Sequence, residues 1–151
     1  MQNTYFAVTC RALIIDQGEL LMVRHDPKFN YLALPGGRLE VGEHITDCIE
    51  RELVEELGIK PKVGKLAFIN DWVDLPNHRV EFFFLIDNGA DFRSADSSTA
   101  THGYELAEIT FGDPTDPQFH LLPKFLRTKF PELLKLGEDF PTELIHTGTE
   151  K

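Results

Sequence analysis

The stretch Gly37 to Ile59 reads GRLEVGEHITDCIERELVEELGI, and the rest of the chain is best read outward from it. From Ile45 to Leu57 the apolar residues Ile45, Ile49, Leu53 and Leu57 recur every four positions, which predicts a helix with one buried stripe. Gly58 is placed to end that helix as a left-handed C′ residue. Glu52, Glu55 and Glu56 stand at i, i+3 and i+4, so their carboxylates project from one face. Like charges so placed cost about 0.2–0.5 kcal/mol per pair in an isolated helix, and a hard divalent cation would turn that repulsion into binding. A glutamate-rich helix face taken alone is commonly just a solvated surface. Here the Pro35-Gly36-Gly37 breaker precedes it, and a glycine turn lets backbone come close to whatever the carboxylates hold.

Composition narrows the setting. The chain has 151 residues, enough for one domain over 1–151 that buries roughly two thirds of its unfolded surface. Twelve Phe and a hydrophobic content of 42% predict an aromatic-rich core rather than a disordered acidic tail. The net charge of −10 argues against binding along a nucleic-acid polymer, where clustered Lys and Arg supply the affinity. Small nucleotides remain open as ligands, because bound cations invert the local field of a carboxylate cluster. Cys10 and Cys48 show no paired metal spacing and no disulfide framework, so a reducing cytoplasm is the expectation. The opening residues lack a signal-peptide pattern, and no run approaches the roughly 20 apolar residues that span a bilayer.

Around the decisive stretch, Tyr5 to Ile15 and Leu20 to Arg24 read as strands about an Asp16-Gln17-Gly18 turn, which predicts a β-hairpin. His25 to Pro35 is a loop leading into the glycines. Leu66 to Leu75 and Val80 to Ile86 form a second antiparallel pair, and the latter is apolar enough to be a central strand. Asn88 to Gly103 is a long polar loop, and Tyr104 to Phe111 is expected to return as a strand. Leu122 to Phe130 reads as a helix with Pro123 in its first turn, kinked or restarted by Pro131 before Glu132 to Leu136. Phe140 to Lys151 carries no clear pattern; Phe140 to Ile145 is free either to pack across a homodimer or to cover its own subunit. Strands interleaved with two helices give an α/β fold, a mixed sheet covered on both faces.

Gly37, Glu43, Arg51-Glu52-Leu53, Glu55-Glu56 and Gly58-Ile59 together fill every defined position of a Nudix box, so the chain resembles the Nudix hydrolase family. That resemblance implies an α/β/α sandwich and metal-dependent hydrolysis of a diphosphate bond in a nucleoside diphosphate linked to another group. Mg²⁺, or Mn²⁺ in its place, is the implied cofactor. Carried over by position, Glu55 and Glu56 are the main metal ligands with the Gly37 carbonyl, and Glu52 is a base or shared ligand. Arg51 orients these acids, and Glu43 joins the network. The resemblance also suggests Glu105, after the long loop, as a further base or ligand, although a strand position could equally aim it into solvent.

Arg24, Lys28 and Arg38 flank the motif within reach of phosphates, and Phe29, Tyr31 and Trp72 are candidates to stack on a base, Tyr31 foremost. The six histidines show no helix-paired ligand spacing. Nucleoside triphosphates, ADP-ribose-like compounds and nucleotide sugars all stay open as substrates, with compactness favouring a triphosphate. A Nudix-fold sensor that binds a nucleotide without turning it over is the reading from another class.

Overall fold

Phe82 to Ile86, the most apolar run of the chain, lies in the middle strand of the main sheet. The computed structural model describes residues 4–95 and 106–148. In chain order the elements are β1 (Tyr5–Leu13), β2 (Ile15–Asp16), β3 (Glu19–Arg24), β4 (Gly36–Arg38) and α1 (Ile45–Leu57), followed by β5 (Val63–Asp74), β6 (Asn77–Ile86), β7 (Glu108–Gly112), α2 (Phe125–Leu136) and β8 (Glu143–Gly148). Five strands form a mixed sheet in the order β4-β1-β6-β5-β8, and β2, β3 and β7 form a smaller antiparallel one. β6 pairs antiparallel with β5 as expected, and parallel with β1 along its whole length, from Tyr5 opposite Asn77 to Leu13 opposite Leu85.

Alternation along these strands separates two cores. Cys10, Ala12, Phe84 and Ile86 face α1 and pack on Cys48, Ile49, Leu53 and Leu57. Leu13, Phe68 and Phe83 face the other way, toward Leu126, Phe130 and Leu133 of α2 and toward Phe140. The sheet is thus sandwiched between α1 and α2. The α1 stripe is no more than 1% exposed at Ile49, Leu53 and Leu57, worth about 1.5–3 kcal/mol per side chain. Gly58 adopts the left-handed conformation (φ 74°) and its N–H donates to the Val54 carbonyl, ending the helix where the sequence placed the stop.

Several expectations need correction. The first hairpin is confined to Ile15–Asp16 pairing with Glu19–Leu20 across Gln17 and Gly18, both at positive φ. β1 leaves it for the main sheet, because nine parallel pairs with β6 and the antiparallel join to β4 offer far more burial than a local return. Pro131 does not break α2, which runs continuously from Phe125 to Leu136 with Pro131 inside it, and Pro123 precedes it. Losing one helical hydrogen bond costs about 3 kcal/mol. Burial of Leu126, Phe130 and Leu133 at about 1.5–3 kcal/mol each exceeds that. The start of the polar loop is a 3₁₀ turn, Gly89–Ser94, whose Phe92 is fully buried. The patternless tail contributes β8, parallel to β5. Phe140 is buried in its own subunit, whereas Leu144 on β8 is 60% exposed. No helix among the described residues is long and apolar enough to cross a membrane.

Candidate active site

β4 is an edge strand of three residues whose first two are glycine, and α1 lies against it. A Cβ at Gly37 would fall on the Glu52 carboxyl group, and one at Gly36 would collide with the Cys10 carbonyl. The missing side chains are therefore what lets acids from α1 come round the sheet edge. Glu52 and Glu56, 9% and 3% exposed, reach a cavity of about 750 Å³ at that edge. The Gly36 N–H donates to Glu56 Oε2 at 3.3 Å.

Arg51 holds the acids in place. Its guanidinium donates to both Glu43 oxygens (Nε 2.8 Å, Nη2 3.1 Å), to Glu52 Oε1 (2.9 Å), to Glu55 Oε2 (3.2 Å) and to the Arg38 carbonyl (3.0 Å). This bidentate contact brings the Glu43 carboxyl down to about 2. Glu52 moves the opposite way: burial disfavours its charge and raises its pKa, with Arg51 only partly opposing.

The other end of the cavity is built from the sheet. Arg79, Glu81 and Phe83 alternate along β6 and share a face, with Arg11 from β1 and Trp72 from β5 beside them. Glu81 accepts from Thr9 Oγ1 (3.3 Å) and Asn70 Nδ2 (3.2 Å) and lies 3.7 Å from Arg11. Arg11 also donates to the Leu34 carbonyl at 3.3 Å. The Arg79 guanidinium stacks 4.2 Å above the Trp72 ring. His25, desolvated and close to Arg11, is held down to about 4 and is neutral at pH 7. Phe29 and Tyr31 stack on each other in the wall, 5.0 Å apart and 11° from parallel.

Gly37, Arg38, Tyr31, Glu52 and Glu56 therefore come together around one space, with Arg51 directly behind the acids. Glu55 pairs with Arg51 and does not line the cavity. Arg24 does not line it either. Its guanidinium bonds Glu108 (3.0 Å) and the carbonyls of Phe29 (2.6 Å) and Tyr31 (3.3 Å), which fixes the loop that carries the aromatic pair. Glu105 lies outside the described residues. Sequence reasoning missed Arg11, Arg79 and Glu81; the available signal was two charged residues spaced by two immediately before the apolar run that ends β6. It also missed that Cys10 and Cys48, 38 residues apart, meet at 2.8 Å between sulfurs, with Cys10 donating to the Gly37 carbonyl at 3.5 Å. The hydrogen bond with Cys10, reinforced by burial, raises the Cys48 thiol above its ordinary value.

The donor chemistry fits a hard divalent cation. Glu52 and Glu56 supply carboxylate oxygens, and the side-chain-free Gly37 leaves room beside them. They do not form a closed cage, since no three His, Cys, Asp or Glu side chains among the described residues gather tightly enough to enclose an ion. Mg²⁺ commonly binds through one or two carboxylates, with water and substrate phosphates completing its shell.

A mixed sheet between two helices, with a glycine edge strand under an acidic helix, defines a class, and comparison with known proteins names it. The NUDIX domain family model matches residues 5–125, and the chain belongs to that family. The ADP-ribose pyrophosphatase of Methanocaldococcus jannaschii is 28% identical over 108 residues, 68% of this chain and 64% of that protein. The NAD-capped RNA hydrolase NudC of Chromobacterium violaceum is 30% identical over 95 residues, 61% of this chain and 35% of that protein. The match spans less than two thirds of either relative. In structure the chain is similar to the MutT protein of Bacillus halodurans, with a TM-score of 0.67, 17% identity and coverage of 95% of this chain and 91% of that one. At that identity the likeness is one of fold.

Proposed function

We propose that the protein is a metal-dependent hydrolase that cleaves the diphosphate linkage of a small nucleotide, a nucleoside diphosphate joined to another group, nucleoside triphosphates included. The observation that carries this reading is the meeting of Glu52 and Glu56 with the Gly36-Gly37 edge at the mouth of a nucleotide-sized cavity. Glu56, Glu52 and the Gly37 carbonyl would hold the cation, with Glu55 the further ligand that the family pattern implies. A bound Mg²⁺ or Mn²⁺ supplies charge neutralisation at the phosphate oxygens and acidifies the attacking water. Glu52, buried at the cavity and oriented by Arg51, would take the proton from the attacking water. Arg51 positions these acids without touching substrate. Arg38 at the rim meets phosphate oxygens, while Tyr31 and Phe29 offer an aromatic wall. Glu105 remains a candidate second base. The free thiols of Cys10 and Cys48 suit a reducing cytoplasm.

The test is formation of nucleoside monophosphate, resolved by chromatography together with any phosphate or pyrophosphate released, across a nucleotide panel with Mg²⁺, Mn²⁺ or chelator, comparing the native protein with Glu56→Gln. Turnover that needs metal and falls by at least about 100-fold in the variant is expected. Unchanged activity in Glu56→Gln would overturn the site assignment. Nucleotide binding with no turnover on any compound would instead establish a sensor.

A further inference from the structure

Cys10 and Cys48 are the two cysteines of the chain, and the hydrolytic reading uses neither. β1 brings one and α1 the other to the same point beneath the glycine strand, where the sulfurs lie 2.8 Å apart and both residues are fully buried. Both are free thiols. Cys10 stands opposite Gly37 in the β1–β4 ladder, and both sulfurs face the Gly37 carbonyl, Cys10 at 3.5 Å and Cys48 at 4.0 Å. Arg51 Nη2 lies 3.9 Å from the Cys48 sulfur.

Packing accounts for one buried cysteine, because the residue behaves as a small apolar group. It does not account for two placed sulfur to sulfur from elements 38 positions apart in the chain. A disulfide holds its sulfurs about 2.05 Å apart, so this pair needs an approach of less than about 1 Å to bond. Burial keeps bulky disulfides away and leaves a molecule near the size of water as the oxidant. β4, three residues long at the sheet edge, is the door, since short edge elements open far more readily than the whole fold.

We propose that Cys10 and Cys48 are a modification site, closing to a reversible disulfide with a small peroxide as oxidant. One sulfur attacks the peroxide, the O–O bond breaks, and a sulfenic acid and water result. The second thiol then displaces the hydroxyl group as a further water and forms the S–S bond. In sum two thiols lose two hydrogens and one hydrogen peroxide becomes two waters. The bond also reaches the acids. Cys48 and Glu52 stand one turn apart on α1, so drawing Cys48 toward β1 shifts the Glu52 carboxylate that packs on Gly37. A slower hydrolase follows, a consequence that rests on the hydrolase reading; formation of the bond does not.

The full-length protein is reduced, freed of reductant, exposed to hydrogen peroxide and then denatured for thiol counting and peptide mapping. Free thiols should fall from two to none, with a linked Cys10–Cys48 peptide and no dimer on a non-reducing gel, and dithiothreitol should restore them. On the nucleotide the protein turns over fastest, kcat/KM should drop at least about tenfold in the oxidised form and recover on reduction, the scale of a sub-ångström misplacement. Cys48→Ala, shown to be folded by circular dichroism, should keep its own turnover through the same treatment. Thiols that survive peroxide, sulfinic acid in place of a bond, or a bond between two molecules would overturn the modification site. Unchanged kcat/KM in the disulfide form, or equal inactivation of Cys48→Ala, would overturn its link to the acids. A disulfide in a protein that hydrolyses no nucleotide would refute the hydrolase reading and leave the site standing; hydrolysis without a disulfide would do the reverse.

Discussion

The two ends of the cavity are made differently. At the carboxylate end, Gly36, Gly37, Glu43, Arg51, Glu52 and Glu56 come from one short stretch, and the geometry follows from a helix packed on a glycine strand. At the sheet end, Arg11, Trp72, Arg79 and Glu81 come from three strands and meet only because β1 and β5 both pair with β6. The first end depends on local spacing and close backbone approach. The second depends on register, so a slip of one residue would turn Arg79 and Glu81 to the other face of the sheet.

The sharpest way to break the carboxylate end is Gly37→Ala. The new methyl group would displace the Glu52 carboxyl, which is the far end of a flexible side chain, so stability changes little while catalysis suffers. A loss of roughly 100-fold in kcat/KM with Tm nearly unchanged is expected, the cost of a displacement on the order of 1 Å. Gly36→Ala is the contrast, because its methyl would meet the Cys10 backbone at φ 143° and lower Tm directly.

Next is Arg51→Met, for which an activity loss of about 10- to 100-fold is expected, the usual scale for groups that orient metal ligands. It also removes the partial opposition to burial at Glu52, so the acid limb of the pH–rate profile should move to higher pH. Glu43 supplies a separate readout. Its folded pKa of about 2 lies below the ordinary 4.5, so its stabilising contribution is present above about pH 4.5 and is lost as pH falls toward 2. In Arg51→Met the fall of Tm across that window should flatten. A pH–Tm series on both proteins checks it.

A milder effect is expected at the sheet end from Glu81→Gln, which releases Arg11 and weakens two hydrogen bonds. KM should rise about tenfold, the size of one charge-assisted hydrogen bond, with kcat little changed. Equal losses in kcat would instead tie the floor to the chemical step. Smallest of all is Arg24→Ala, outside the cavity, for which steady-state kinetics should show a rise of about two- to fivefold in KM with kcat little changed, because Arg24 acts only through the loop that carries Phe29 and Tyr31.

The same contrast explains what could be read in advance. The extent of α1, its Gly58 stop, the second hairpin and the central place of β6 were legible because each follows from periodicity or from local turn chemistry. The separation of β1 from β3, the continuity of α2 through Pro131 and the existence of β8 were not, because burial against distant residues overrides local preference in each case. Arg24 looked available for phosphate because it flanks the glycine and glutamate motif in sequence, but Glu108 and two carbonyls, met only in the fold, engage it.

By itself the sequence determined the acidic helix, the glycines beneath it and the Nudix family resemblance, since these are properties of spacing within one segment. Tertiary structure alone decided which cations and aromatics share the cavity, that Cys10 and Cys48 touch, and that Arg79 lies on Trp72. These pairings come from strands distant in sequence, whose partners and register are set by burying both faces of the sheet at once and not by any residue's own neighbours.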